Sequence, residues 1–203
     1  MSVGIREDDP TLGNRAPKRK SQGFENWTEA DIAAFEATHP IGTKPRLALA
    51  LLLCTAQRRA DVIRMGRQHI RNGAIHLRQQ KTGTALEIPV CAELATILDA
   101  TLTENLTFLT NSHGHPFLAE GFSRWFRKCC DEASLPNRSA HGLRKAACRR
   151  LAEAGCSASE IAAISGHSSL CEVERYTKAA DQARMARNAM AKTKTATSSG
   201  KLE

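Results

Sequence analysis

The chain has 203 residues, 41% of them apolar and 4% aromatic, with 29 lysines and arginines against 21 acidic residues, a net charge of +8. That length suits one domain with loose ends, and the charge favours a polyanionic partner. With so few aromatics, the core is expected to rest on Leu, Ile, Ala and Val. The longest apolar run, Leu47 to Cys54, is far too short to span a bilayer, and no signal peptide opens the chain, so a cytoplasmic protein is expected. Seven cysteines (Cys54, Cys91, Cys129, Cys130, Cys148, Cys156 and Cys171) make an odd set without a Cys-x-x-Cys pair, which reads as reduced core thiols. His113-Gly114-His115 has no cysteine or carboxylate at ligand spacing beside it and reads as a polar loop, not a metal site.

Residues 1 to 26, with Pro10, Gly13, Pro17 and the run Lys18-Arg19-Lys20, lack hydrophobic periodicity and predict a basic arm or linker. A helix opens after Trp27, with Thr28 as N-cap and Asp31 three residues on. Further helices are predicted over 44–56 and 59–65. Ile70, Ile75 and Leu77 flank Asn72-Gly73, a tight-turn signal, and a second hairpin bends at Lys81-Thr82-Gly83-Thr84 and returns through Leu86, Ile88 and Val90. These segments predict one small three-stranded antiparallel sheet in a mainly α fold. Helices follow over 92–101, 119–133, 141–154, 158–165, 170–175 and 179–192, with Gly155 as a C′ residue. Residues 193–203 are mostly small and polar and predict a disordered tail, ending in Leu202-Glu203, which reads as a cloning remnant.

Several residues carry chemistry. Tyr176 is the only tyrosine; it is expected at a helix end beside Arg175. A phenol has a pKa near ~10 and needs cationic or hydrogen-bonding help to act as a nucleophile. His141-Gly142-Leu143-Arg144 sets a His and an Arg three apart at a helix start, near the positive end of the helix dipole, a geometry suited to a phosphate. A capping His with a surface Arg is the plainer account of that tetrapeptide. Arg58 lies in a turn between helices, with Asp61 placed to orient its guanidinium by a bidentate pair; a solvated basic turn is the alternative. Lys81 sits at a hairpin bend, serving either solubility or proton donation in a groove.

The order of these features is more specific than any one of them: Arg in a helix turn, Lys on a hairpin, His-x-x-Arg opening a helix, Gly166-His167, then Tyr nine residues after that His. The series resembles the catalytic domain of the tyrosine recombinases, the phage integrase family, over residues 27–192. The resemblance implies that Arg58 and Arg144 hold the scissile phosphate and that His141 assists removal of the tyrosine proton. Lys81 would protonate the departing 5′ oxygen, and His167 would donate a further hydrogen bond. Tyr176 would attack to form a 3′-phosphotyrosyl link. It further implies double-stranded DNA as substrate, a homotetramer on DNA, accessory DNA-bending proteins, and no cofactor, because the phosphotyrosyl diester keeps the energy of the broken bond. Residues 179–192, with Met185, Ala189 and Met190 at helical spacing, would pack on a neighbouring protomer or on their own domain.

Two departures stand out. The family carries an N-terminal helical domain that completes a clamp on DNA, and the 26 residues ahead of the pattern are too few to form one. Weaker grip and site selection are therefore expected. Ala56 stands where the family often has Gly before the first arginine, and its methyl group is either harmless there or strains the turn that aims Arg58. A DNA-binding remnant without activity and a type IB topoisomerase are the competing readings.

Overall fold

The computed structural model describes residues 25–101 and 105–199, leaving aside the side chains of 179, 183, 184, 188 and 191–199. The arm over 1–24 and residues 200–203 lie outside the described residues. Helix α1 (Glu29–Thr38) begins with the capping box expected of its sequence: the Thr28 hydroxyl accepts from the Asp31 N–H, while the Asp31 carboxylate accepts from the Thr28 N–H. Helix α2 (Lys44–Thr55) starts on a Thr43 cap with Pro45 in its first turn. Its residues Leu47 to Leu53 are all buried. A helix apolar on every side has to be central, and α2 packs against both α4 (Ala92–Ala100) and α6 (Ala140–Glu153).

Helix α3 is shorter than expected, Arg59–Val62. After Met65 the chain is extended at Gly66, with φ −158°, which passes so close to the Leu106 carbonyl that a Cβ there would overlap it. A 3-10 turn, Arg67–His69, leads into strands β1 (Ile70–Arg71), β2 (Ala74–Arg78) and β3 (Ala85–Pro89), ordered β1-β2-β3 and antiparallel throughout. Asn72 and Gly73 both have positive φ, 51° and 74°, the requirement of a type I′ hairpin. Ile75 faces Ile88 across the sheet and both are buried.

Helices α5 (Ala119–Glu132), α7 (Ala158–Ser165) and α8 (Leu170–Ser199) complete the fold, with α8 packed on α6 and α7. Gly155 takes φ 94° directly after the α6 C-cap, as its C′ assignment requires. Three expectations are corrected. The two helices expected over 170–175 and 179–192 are one, since no Gly or Pro occurs between Leu170 and Ser199 to break the hydrogen-bond ladder. Tyr176 therefore sits inside a helix and not at its end. By the same logic the helix runs through 193–199, into the stretch expected to be a disordered tail. The core rests mainly on Leu, Ile, Ala and Val, as expected, and the few aromatics are concentrated within it: Trp27, Phe35, Phe122 and Phe126 are wholly buried, and Phe35 stacks on Phe126 at a ring-centroid distance of 5.4 Å. Each such ring buries far more area than an alanine, and the Phe35–Phe126 pair joins α1 to α5. Among the cysteines, all free, Cys129, Cys130 and Cys148 are buried while Cys91 and Cys171 are exposed.

Candidate active site

The turn after α2 places the first arginine. Ala56 caps the helix in the left-handed region, φ 52° and ψ 25°, and reverses the chain so that Arg58 emerges at the N-cap of α3. Of the two outcomes open for Ala56, strain is thus the one its φ shows, while its methyl is wholly buried. The Ala56 carbonyl accepts from Arg144 Nη1 at 2.9 Å, so the two arginines share one turn. Arg58 Nη1 donates to Gln79 Oε1 at 3.2 Å.

Asp61 does not play the part expected of it. Its Oδ1 accepts from the backbone N–H of Gln80 at 2.7 Å, its Oδ2 is buried without a hydrogen-bond partner, and its carboxylate anchors the hairpin instead of the Arg58 guanidinium. The reason is topological: the β2–β3 hairpin folds over α3 and presents an unpaired N–H there. Lys81, one residue further, stands exposed at the hairpin tip.

Helix α6 contributes His141 and Arg144 from its first turns. The N-terminal segment crosses here at close range. A Cβ on Gly142 would lie 2.5 Å from the Glu25 carbonyl and 2.9 Å from Trp27 Cδ1, and Trp27 Nε1 donates to the Ser139 carbonyl at 2.9 Å. Gly142 is the residue that lets the two backbones meet. Partial desolvation, followed by the charges of Lys145, Arg144, Arg59 and Arg58, lowers the His141 pKa below the ordinary imidazole value, which favours the neutral ring at neutral pH.

Arg144 is only 6% exposed. Burial, together with the adjacent Arg58 charge, brings its pKa down to about 10, and the guanidinium remains protonated. Two of its hydrogen bonds go to a carbonyl and an imidazole, neither of which supplies countercharge. Such a buried cation is poised for an anion. Its Nη2 lies 3.1 Å from His167 Nε2. Since arginine only donates, Nε2 is the acceptor and the His167 proton resides on Nδ1. Nδ1 in turn donates to Ser165 Oγ at 2.6 Å, and Ser165 Oγ donates to the Ile161 carbonyl at 2.6 Å. Burial and the Arg144 charge push the His167 pKa down to about 4, in keeping with this neutral tautomer.

Tyr176 is half-buried on α8. Burial and the neighbouring Cys148 thiol raise its pKa, against the opposing pull of the Arg144 and Arg175 charges. Arg58, Lys81, His141, Arg144, His167 and Tyr176, from separate parts of the chain, all line one cavity of about 470 Å³. Asn26, Lys145, Glu172 and Arg175 complete the wall, giving five lysines and arginines against one glutamate. A second cavity of about 630 Å³ between α6 and α8 shares Asn26, Lys145, Arg175 and Tyr176 and adds Arg149 and Arg187, extending the basic surface beyond the first cavity.

Sequence reasoning overlooked Asn26, Lys145 and Glu172 as cavity residues, and also the buried glutamines Gln57 and Gln79. Gln79 left one legible signal: it continues the Ile75, Leu77 alternation, which puts an amide where the strand's inward face calls for an apolar side chain. His113 and His115 are exposed, and among the described residues no cluster of three His, Cys, Asp or Glu could hold a metal ion. No described helix is long and apolar enough to cross a membrane.

The sequence pattern of the phage integrase family matches residues 28–183. The chain is 32% identical over 132 residues to the shufflon-specific DNA recombinase of Escherichia coli, covering 63% of this chain and 33% of that protein. It is 26% identical over 145 residues to the integrase of Escherichia phage HK022, covering 66% and 40% respectively. The match therefore spans well under half the length of these curated relatives. Among solved structures, XerA recombinase superposes with a TM-score of 0.68 at 17% identity, over 85% of this chain and 66% of that one. A lambda integrase dimer bound to a COC′ core site gives 0.68 at 23% identity, over 82% and 51%. The lambda integrase catalytic core gives 0.58 at 22% identity, over 70% and 91%.

Proposed function

The chain belongs to the phage integrase family, and from that premise we propose that it cleaves and rejoins double-stranded DNA at specific sites through Tyr176. The observation that carries the reading is the convergence of all six candidate residues on one cation-lined cavity. A scissile phosphate seated there receives the Arg58 and Arg144 guanidiniums on its non-bridging oxygens, where negative charge accumulates as phosphorus becomes five-coordinate. Tyr176 Oη bonds to phosphorus, its proton passes to neutral His141, and the bond to the 5′ oxygen breaks. Lys81 protonates that oxygen, leaving a 3′-phosphotyrosyl ester and a free 5′ hydroxyl. Reversal with a second 5′ hydroxyl reseals the strand.

His167 enters this scheme with a condition. Its Nε2 lone pair faces Arg144, so it donates to phosphate once Nε2 carries a proton, gained by protonation of the ring or by exchange of tautomer. The phosphate charge favours protonation, since a nearby anion raises an imidazole pKa. The same reading carries a tetramer on two duplexes, accessory DNA-bending proteins and a cytoplasmic setting.

A nicked suicide duplex, from which the cleaved fragment diffuses away, tests the proposal. The intact protein is expected to form a covalent adduct and Tyr176→Phe none. Because Tyr176 is the only tyrosine, peptide mass assigns the link directly. Absence of adduct from intact protein that still binds the duplex would favour a binding-only role.

A further inference from the structure

Gln79 stands outside the six candidate residues, yet its side chain hydrogen-bonds to Arg58 and to the residues on either side of the site. It is 1% exposed. Its Nε2 donates to Gln57 Oε1 at 2.7 Å and to the Ser165 carbonyl at 2.8 Å, and its Oε1 accepts from Arg58 Nη1 at 3.2 Å and from the Thr82 hydroxyl at 2.7 Å. A primary amide offers two donors and two lone pairs, and all four are used. The orientation is forced: the Ser165 carbonyl can only accept and Arg58 can only donate.

The four partners come from three segments: the turn after α2, the hairpin tip, and the end of α7 beside His167. Gln57 braces the same junction, donating through Nε2 to the Thr55 and Ile164 carbonyls. Gly166 is cut to fit, for a Cβ there would lie 2.5 Å from Gln79 Nε2 and 2.7 Å from its Cδ. The hairpin tip closes on the same residue, since the Gly83 N–H donates to the Gln79 carbonyl and the Gln79 N–H to the Thr84 carbonyl, each at 2.9 Å. Lys81 is thereby bracketed, by Thr82 held to the Gln79 side chain on one side and by Gln80 held to Asp61 on the other.

We propose that Gln79 is a positioning residue that fixes the Arg58 guanidinium and the Lys81-bearing hairpin tip in register, using the gap left by Gly166 as its seat. It touches no reacting atom; it sets the distance between a phosphate clamp and a proton donor carried on different elements. The inference rests on the reading of Lys81 as the general acid and Arg58 as a phosphate ligand.

Single-turnover cleavage of two suicide duplexes separates the parts. One duplex carries the ordinary 5′ bridging oxygen. The other carries sulfur there, a leaving group that departs without protonation. Gln79→Met keeps the volume and removes all four hydrogen bonds. It is expected to slow the oxygen substrate about 10²-fold, the usual cost of misplacing a catalytic group by about 1 Å, and the sulfur substrate no more than about tenfold, the share owed to Arg58. Thr82→Val sits at an exposed position that does not threaten folding. It is expected to slow the oxygen substrate about three- to tenfold and leave the sulfur substrate at the parent rate, and it decides the matter should Gln79→Met not fold. Lys81→Ala serves as reference. Recovery of Lys81→Ala with sulfur, but equal losses on both substrates for Gln79→Met and Thr82→Val, overturns the proposal alone. Parent rates in both variants do the same. Failure of sulfur to restore Lys81→Ala overturns the general-acid reading and the proposal with it.

Discussion

Gly166→Ala is a severe test of how the site is held together, although it removes nothing. The glycine has φ 68°, where an alanine pays roughly 1–2 kcal/mol for its Cβ. That Cβ also falls 2.5 Å from Gln79 Nε2, so the amide must move, and its two donor bonds into Gln57 and Ser165 stretch or break. Leaving one or both of those buried groups unsatisfied costs about 1–3 kcal/mol each. Allowing for relaxation, we expect a loss of about 3–5 kcal/mol, a large part of the ~5–15 kcal/mol that holds a domain together. In urea, with a slope of roughly 2 kcal/mol per molar, the midpoint should fall by about 2 M with the slope unchanged. Gly121→Ala is the control: it lies inside α5 with its nearest neighbour, Phe117 Cδ1, 4.0 Å away. There the added methyl should stabilise by about 0.5–1 kcal/mol through helix propensity. A Gly166→Ala midpoint within about 0.5 M of the parent would refute the seat assigned to Gln79.

Arg144→Lys keeps the charge but cannot reach both the Ala56 carbonyl and His167 while facing a phosphate; single-turnover cleavage should fall by about 10²-fold or more, and a loss under tenfold would count against the clamp. Acid should destabilise the fold through His167. Its pKa is about 4 when folded against 6.5 in the open chain, so between those values the unfolded state binds the extra proton and stability drops as pH falls through that window, by up to about 3 kcal/mol at pH 4. Urea titrations at pH 7 and pH 4.5 should show this drop in the parent and a smaller one in His167→Gln; equal drops would exclude His167 as the source. Ala56→Gly relieves about 1–2 kcal/mol of left-handed strain but loses a buried methyl worth about 0.8 kcal/mol and gains unfolded-state entropy of similar size. Its melting midpoint and cleavage rate should both stay close to the parent's, and a gain above about 2 kcal/mol would show that the methyl is a true defect.

Much of this is legible in the sequence alone. Local signals carry local structure: the Thr28 and Asp31 box, the Asn72-Gly73 turn and the Gly155 stop depend on contacts within a few residues, and each forms as its residues dictate. The six candidate residues, which share one cavity, stand out in the sequence for a different reason. Each belongs to a short pattern, and their order along the chain is itself a pattern. The sequence did not reveal where side chains separated by many residues would turn. Asp61 lies three residues from Arg58 yet answers to Gln80, because the hairpin brings an unpaired N–H to it. Gln79 shows only as an amide on the strand's inward face until α7 supplies the Ser165 carbonyl from 86 positions away. The run after Leu170 reads as two helices with Tyr176 between them, but without Gly or Pro nothing stops the ladder. Residue types and their spacing along the chain determined the chemistry available to this protein. Which groups share a buried hydrogen bond was decided only by the tertiary structure, because a desolvated donor takes the partner that packing delivers, however distant in sequence.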